Sequence, residues 1–204
     1  MLRFDRKDPD KVLGSISREF ENGDPVVLPT DTLYGIGAPI SNHRAIERIF
    51  ELKRRPRDLT LPLALGNLPM VDDVSVIRRW QKSTLREHLP GPVTFILEAR
   101  EGLDPLVVRD GTVAVRVPRH PLFIPLTARF GPIALTSANI SGGPEILSAS
   151  GIDGEWGGRL LVIEDDRALS GRATTIVDLT DEMPSIIREG NLNIDELMGG
   201  DHGG

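Results

Sequence analysis

Short apolar runs punctuate this chain, and the material between them changes character from the first half to the second. Runs at Pro25–Leu28, Leu61–Leu65, Val93–Leu97, Thr112–Val117, Ile133–Thr136, Leu160–Ile163, Thr175–Leu179 and Ser185–Arg188 predict strands. Between the early ones, apolar residues recur at helical spacing: Val12, Leu13, Ile16 and Phe20, then Ile46, Ile49, Phe50 and Leu52. Asp8 is the expected cap of the first helix, Pro9 suits its first turn and Gly23 its end, while Pro56 stops the second. Further helices are predicted over Val74–Leu89, closed by Pro90-Gly91, and over Pro121–Phe130. Strands thus alternate with helices early and cluster late. The pattern predicts an α/β fold with a mixed sheet and helices packed on it, not a repeating βαβ barrel.

A chain of 204 residues, 39% of them hydrophobic, can bury one sizeable core. A single domain over residues 1–196 with a loose glycine-rich tail at 197–204 is expected. No apolar run is long enough to span a bilayer, and the start MLRFDRKDPD is too charged for a signal peptide, so the cytoplasm is the expected compartment. The absence of cysteine excludes disulfides, zinc–thiolate sites and a cysteine nucleophile. A net charge of −6 gives the whole molecule no attraction for nucleic acid or anionic lipid. An anionic ligand would need a local concentration of cations.

Three segments do not read as scaffold. Pro29–Gly37, PTDTLYGIG, puts hydroxyls, a carboxylate and a tyrosine in a predicted loop, Pro29–Ser41, directly after a strand. Its Gly35-x-Gly37 is read as flexible. Lys53-Arg54-Arg55-Pro56-Arg57 sets four cations among five residues. Taken alone it is a solvated helix end; a triphosphate is the alternative partner, since arginine's planar fork can grip two phosphate oxygens. Thr136–Gly143, TSANISGG, combines hydroxyls, an amide and glycine backbone N–H groups able to cradle phosphate or carboxylate oxygens. Neither a P-loop nor a dinucleotide fingerprint is present, and His43, His88, His120 and His202 lack metal-ligand spacing, so each is read as a surface or packing residue.

In order along the chain, PTDTLYGIG, the Lys-x-Arg-Pro of Lys53–Pro56, PGPVTFIL, VAVRVPRHP, TSANISGG, RATTIVDLT and IIREG resemble the YrdC/YciO family. The family's best-known members are threonylcarbamoyl-AMP synthases. The resemblance implies a twisted, open α/β sheet around a concave, basic cavity. It also implies a reaction of L-threonine, bicarbonate and ATP, with Mg²⁺ on the phosphates, that yields threonylcarbamoyl-adenylate and pyrophosphate. Other proteins would pass the threonylcarbamoyl group to tRNA.

By the same resemblance, Thr32 and Tyr34 contact threonine, and Lys53 and Arg55 form a Lys-x-Arg pair with Ser137 and Asn139 as its Ser-x-Asn partners. Lys53 and Arg55 would be catalytic, compensating phosphate charge together with Arg116 and Arg188 around the nucleotide, which Ser137, Asn139, Ser141 and Thr174 would also bind. Of the cation cluster, Arg54 is expected to face solvent. In one place the chain departs from the usual synthases. Arg57–Leu61 lengthens the segment after Arg-Pro, with Leu61 where a basic residue is usual, and this resembles the YciO branch. The alternatives are an RNA- or nucleotide-binding protein without synthase activity, and an enzyme making a different carbamoyl-adenylate. The acidic net charge weighs against RNA.

Overall fold

The computed structural model describes residues 1–192 apart from Gly157 and Ala168; the predicted tail and His202 lie outside the described residues. The first helix, α1 (Pro9–Asn22), buries Val12, Leu13, Ile16 and Phe20 on one face, as its spacing demands. Gly23 ends it in the left-handed conformation at φ 79°. Asp8 stands at the N-cap position as expected but makes no side-chain capping bond, and its N–H turns back to the Asp5 carbonyl at 3.3 Å.

Strand β1 (Leu2–Arg3) pairs in parallel with β10 (Leu161–Glu164), which pairs in parallel with β2 (Val26–Leu28). The sheet continues antiparallel from β2 to β3 (Gly35–Pro39), and from β3 to β9 (Ile133–Ser137). Strand β4 (Leu63–Ala64) follows, then β8 (Thr112–Arg116), β6 (Val93–Ala99), β11 (Thr175–Asp178) and β12 (Ser185–Arg188). Two short strands, β5 (Ser75–Val76) and β7 (Val108–Arg109), pair with β6 and β8. Parallel and antiparallel pairs together make the twisted, open, mixed sheet that the sequence implied.

Side chains alternate along each strand, so each strand feeds two layers. Val26 and Leu28 pack with α1 and with α5 (Phe123–Phe130), whereas Val27 between them packs with α2 (His43–Lys53). Likewise Ile133 and Leu135 join the α1–α5 layer and Ala134 the other. Strands covered on both faces read as unbroken apolar runs, which is why they were legible. At the β8–β6–β11 end the rule changes. Val113, Val115, Val93, Phe95, Leu97 and Val177 enter the core from one face. Ala114, Arg116, Thr94, Ile96 and Ile176 on the other face line a cavity.

Two sequence expectations are corrected by long-range contacts, and one helix was not foreseen. The predicted loop Pro29–Ser41 contains β3, buried along its whole length. Its glycines reflect close approach rather than flexibility: a Cβ on Gly35 or on Gly37 would stand 2.8 Å from Leu135 Cδ1 of the neighbouring strand. The helix predicted over Val74–Leu89 is broken into α3 (Val71–Val74), β5 and α4 (Gln81–His88). Pairing of Ser75 and Val76 with Ala99 and Glu98 competes with the helix there, and the Gln81 amide donates to the Leu179 carbonyl at 2.6 Å. Finally, α6 (Ala149–Trp156) escaped prediction, since Gly151 and Gly154 lower its helix propensity; Ile152 and Trp156 hold it to the core.

Candidate active site

The cavity, about 540 Å³ in volume, is floored by alternate residues of β6, β8 and β11. The register places Ile176 beside Thr94 and Ile96 beside Ala114. Its walls come from the Thr30–Gly35 segment, from Arg55 with Leu59 and Thr60, from the loop after β9, and from Arg188 on β12. The fold brings Thr32, Tyr34, Arg55, Arg116, Ser137, Asn139, Thr174 and Arg188 onto this one lining. Lys53 and Ser141 are not on it.

Arg116 ends β8 with its guanidinium directed at the Thr30–Leu33 turn. Nη2 donates to Asp31 Oδ1 at 2.7 Å and Nη1 to Thr32 Oγ1 at 3.2 Å. Burial pushes its pKa down from the usual arginine range, and Asp31 opposes that shift. Nε is buried without a hydrogen-bond partner. The turn itself is held by the Thr30 hydroxyl, which accepts from Thr32 N at 3.0 Å and Leu33 N at 3.2 Å and donates to the Leu33 carbonyl at 2.6 Å. Tyr34 is buried, which raises its pKa, and its carbonyl accepts from Ala138 N at 2.9 Å.

Lys53, the last residue of α2, is fully buried. Its ammonium donates to the main-chain carbonyls of Ser137 and Asn139, and its own carbonyl accepts from Ser141 N at 3.1 Å. Burial first, and then the neighbouring Arg55, lower its pKa to about 8. Within the loop, the Ser137 hydroxyl donates to Asn139 Oδ1 and Asn139 Nδ2 to the Gly143 carbonyl, both at 2.6 Å. The Trp156 indole donates to the Ala138 carbonyl at 2.8 Å. The lysine therefore shapes the loop from behind, while Ser137 and Asn139 face the cavity. Ser141 Oγ is buried and unpartnered.

Arg54 caps α2 in the left-handed conformation at φ 51° and points its exposed side chain away from the lining, as expected. That turn carries Arg55 to the cavity. Its Nε donates to the Leu59 carbonyl at 2.8 Å and Nη2 to the Thr60 carbonyl at 3.0 Å. The Arg57–Leu61 stretch thus forms a main-chain cradle for the guanidinium, with Leu61 buried in the core. Opposite, Arg188 Nη2 donates to the Thr174 carbonyl at 2.9 Å, and the Thr174 and Thr94 hydroxyls meet at 2.9 Å.

Sequence reasoning missed Thr94, Arg109 and Glu145 on the lining, and Asp31 as the partner of Arg116. Asp31 and Thr94 lie within the quoted segments PTDTLYGIG and PGPVTFIL, whereas nothing local distinguishes Arg109 or Glu145 from other surface charges. Among the described residues the lining holds Arg55, Arg109, Arg116 and Arg188 with Glu145 as its carboxylate, while Asp31 pairs with Arg116 and Asp110 with Arg109.

Comparison with known proteins agrees with this architecture. The family model for Sua5, YciO and YrdC proteins, described as telomere recombination, matches residues 18–190. The chain belongs to the Sua5/YciO/YrdC family. Within it, the threonylcarbamoyl-AMP synthase of Enterobacter sp. (strain 638) is 36% identical over 179 residues, covering 78% of this chain and 94% of the relative. The crystal structure of P. abyssi Sua5 complexed with L-threonine superposes with a TM-score of 0.85 at 30% identity. It is matched over 97% of this chain but 60% of that longer one. E. coli YciO, at 24% identity and a TM-score of 0.85 over 97% of both chains, shares the fold.

Proposed function

We propose that this chain is an L-threonylcarbamoyladenylate synthase, an adenylate-forming transferase whose substrates are L-threonine, bicarbonate and ATP. The observation that carries this reading is the gathering of Arg55, Arg109, Arg116 and Arg188 on one lining, with Arg55 and Arg188 outside any ion pair among the described residues, in a chain of net charge −6. Such a cavity suits a substrate set that is strongly anionic.

The amine of threonine adds to the carbon of bicarbonate, and water departs to leave an N-carboxylate. A carboxylate oxygen then attacks the α-phosphorus of ATP, and the bond to pyrophosphate breaks. Two anions must be brought together and a third released, so the protein's work is positioning and charge compensation, with no protein nucleophile required. We assign Arg55, Arg116 and Arg188 to the phosphates and the developing pyrophosphate. Thr32, Tyr34, Ser137 and Asn139 would orient threonine and the nucleotide, with Thr174 at the phosphate end. Lys53 serves by setting the Ser137–Asn139 loop, and Ser141 belongs to its support.

Among the described residues no group of three or more His, Asp or Glu side chains could hold a metal. The lining is nonetheless compatible with Mg²⁺ carried in on the nucleotide, because that ion keeps most of its waters and takes one or two carboxylates beside substrate phosphates. Glu145 is the lining carboxylate available to it. Bound there, Mg²⁺ would neutralise phosphate charge. The adenylate would be handed to proteins that modify tRNA.

The test is direct. Pure protein is incubated with ATP, Mg²⁺, bicarbonate and L-threonine, and pyrophosphate and the adenylate are followed by mass spectrometry. Threonine-dependent formation of both is expected. Pyrophosphate release indifferent to threonine, or no product alongside tight, salt-sensitive RNA binding, would overturn the assignment.

A further inference from the structure

Trp156 is fully buried and lies outside the cavity lining. It is the last residue of α6, the helix that follows the TSANISGG segment. Along that helix Ala149, Ile152 and Trp156 recur at i, i+3 and i+7, and all three are buried, so one face holds α6 to the core. The indole is thereby delivered to a fixed place, from which Nε1 reaches back 18 positions to donate to the Ala138 carbonyl at 2.8 Å. The carbonyls on either side, of Ser137 and Asn139, accept from the Lys53 ammonium. Three consecutive carbonyls are thus held by two buried side chains, neither of which is on the lining.

A peptide unit is planar, so fixing the direction of its carbonyl restrains the whole unit. The Ala138 carbonyl belongs to the unit that enters Asn139, and the Asn139 carbonyl to the unit that leaves it. Trp156 restrains the first and Lys53 the second. With both planes set, the Cα–Cβ bond of Asn139 is directed as well. Ala138 turns its methyl into the core, while Asn139 reaches the lining. There Oδ1 accepts from the Ser137 hydroxyl and Nδ2 donates to the Gly143 carbonyl, both at 2.6 Å.

We propose that Trp156 is a positioning residue for Asn139: its indole N–H fixes the peptide unit that presents the Asn139 amide, and the Ser137 hydroxyl bonded to it, to the cavity. This rests on the reading of Ser137 and Asn139 as substrate-binding residues. Trp156 itself touches no substrate. Without its N–H the Ala138 carbonyl is left buried without that donor, and the unit turns to find another. A displacement of about 1 Å in a substrate-orienting group can cost on the order of 10²-fold in rate.

The chain has two tryptophans, and Trp80 packs at the edge of the core, away from the lining. In a Trp80→Phe background, biosynthetic replacement of tryptophan by benzothienylalanine puts sulfur where Trp156 carries N–H and keeps the ring system. Fluorotryptophan in the same background keeps the N–H and is the control. The sulfur isostere is expected to lower kcat/KM for threonylcarbamoyl-AMP formation by roughly tenfold, and the fluorinated protein to stay within about twofold of its parent. A merely structural role would lower the urea midpoint and leave kcat/KM of the folded enzyme unchanged. That result, or the same kinetic loss in both proteins, would overturn the proposal. If the isostere-bearing protein does not fold, Trp156→Phe, which also lacks the N–H, is read in the same way. If the wild type makes no threonylcarbamoyl-AMP, the activity reading fails by itself. The role of Trp156 is then judged by calorimetric titration with ATP and Mg²⁺. Roughly tenfold weaker binding in the isostere supports it; equal affinity, or no binding by the wild type, overturns it.

Discussion

The ammonium of Lys53 is bonded to the main-chain carbonyl of Asn139, with Ser137's carbonyl as its second acceptor. It is therefore a fastener of the TSANISGG loop, while Arg55 two residues later turns the other way, into the cavity. The Lys-x-Arg pair divides into a shaping residue and a ligand-facing one. Lys53→Ala would leave buried carbonyls without donors, at about 1–3 kcal/mol each. Urea unfolding should show a midpoint well below wild type, together with loss of turnover. An unchanged midpoint with activity lost would return Lys53 to direct contact with substrate.

Arg55→Ala should behave in the opposite sense. Its acceptors are carbonyls of Leu59 and Thr60 in a surface loop, which water can serve when the guanidinium is gone. Stability should change by less than about 1 kcal/mol, while kcat falls by about 10²–10³, as on removing one preorganised donor to developing charge. Single-turnover kinetics beside urea unfolding checks both. A stability loss matching that of Lys53→Ala would erase the division of roles.

How far the sequence told this in advance depends on where each residue's partners lie. Strands buried on both faces, such as Val26–Leu28 and Ile133–Ser137, declare themselves by composition alone. Strand β3 did not, because Gly35 and Gly37 answer to Leu135, about a hundred positions away, and glycine viewed locally signals a turn. Most of the cavity residues were legible through ordered motifs, since Thr32, Arg55, Arg116, Ser137, Asn139, Thr174 and Arg188 all face one space. Lys53 was placed in that space by its neighbourhood, but a helix end and a distant loop share its charge. Leu61 stands where a cation was expected, and its complete burial explains why the chain carries a leucine there. His120 was read as a surface or packing residue; it does pack, but its acceptor Asp165 lies in a segment the motifs do not cover.

His120 also gives the fold a defined acid limit. Burial, and then Arg167, hold its pKa down at about 4, against the pull of Asp165 and Asp31 in the other direction. Unfolded, it titrates near 6.5. As pH falls from about 6.5 to 4 the unfolded chain takes up a proton that the folded chain refuses, so stability declines across that window. A difference of this size corresponds to something on the order of 3 kcal/mol. Asp165 extends the decline. Burial would raise its pKa, but Arg167's hydrogen bonds outweigh that and bring it to about 2, so its contribution fades below about pH 4. Unfolding free energies at pH 7 and pH 4.5 should differ less in His120→Gln than in wild type. Equal pH dependence would place the acid sensitivity elsewhere.

The pairing of Gly35 with Leu135 is testable as a contact between neighbours. A Cβ at Gly35 would lie 2.8 Å from Leu135 Cδ1 and 2.9 Å from Cγ, with the Thr136 carbonyl at 3.2 Å. Gly35→Ala should therefore destabilise by about 1–3 kcal/mol through overpacking. Leu135→Ala should destabilise by about 2–5 kcal/mol through the cavity it leaves. In the double variant the new methyl enters space that the leucine vacated, so the combined loss should fall clearly short of the sum. The strand Gly35–Pro39 carries the tyrosine and threonine segment into the site, so restored stability should bring restored activity with it. Strict additivity in urea unfolding would show that the Thr136 carbonyl, not Leu135, is what excludes a side chain at Gly35.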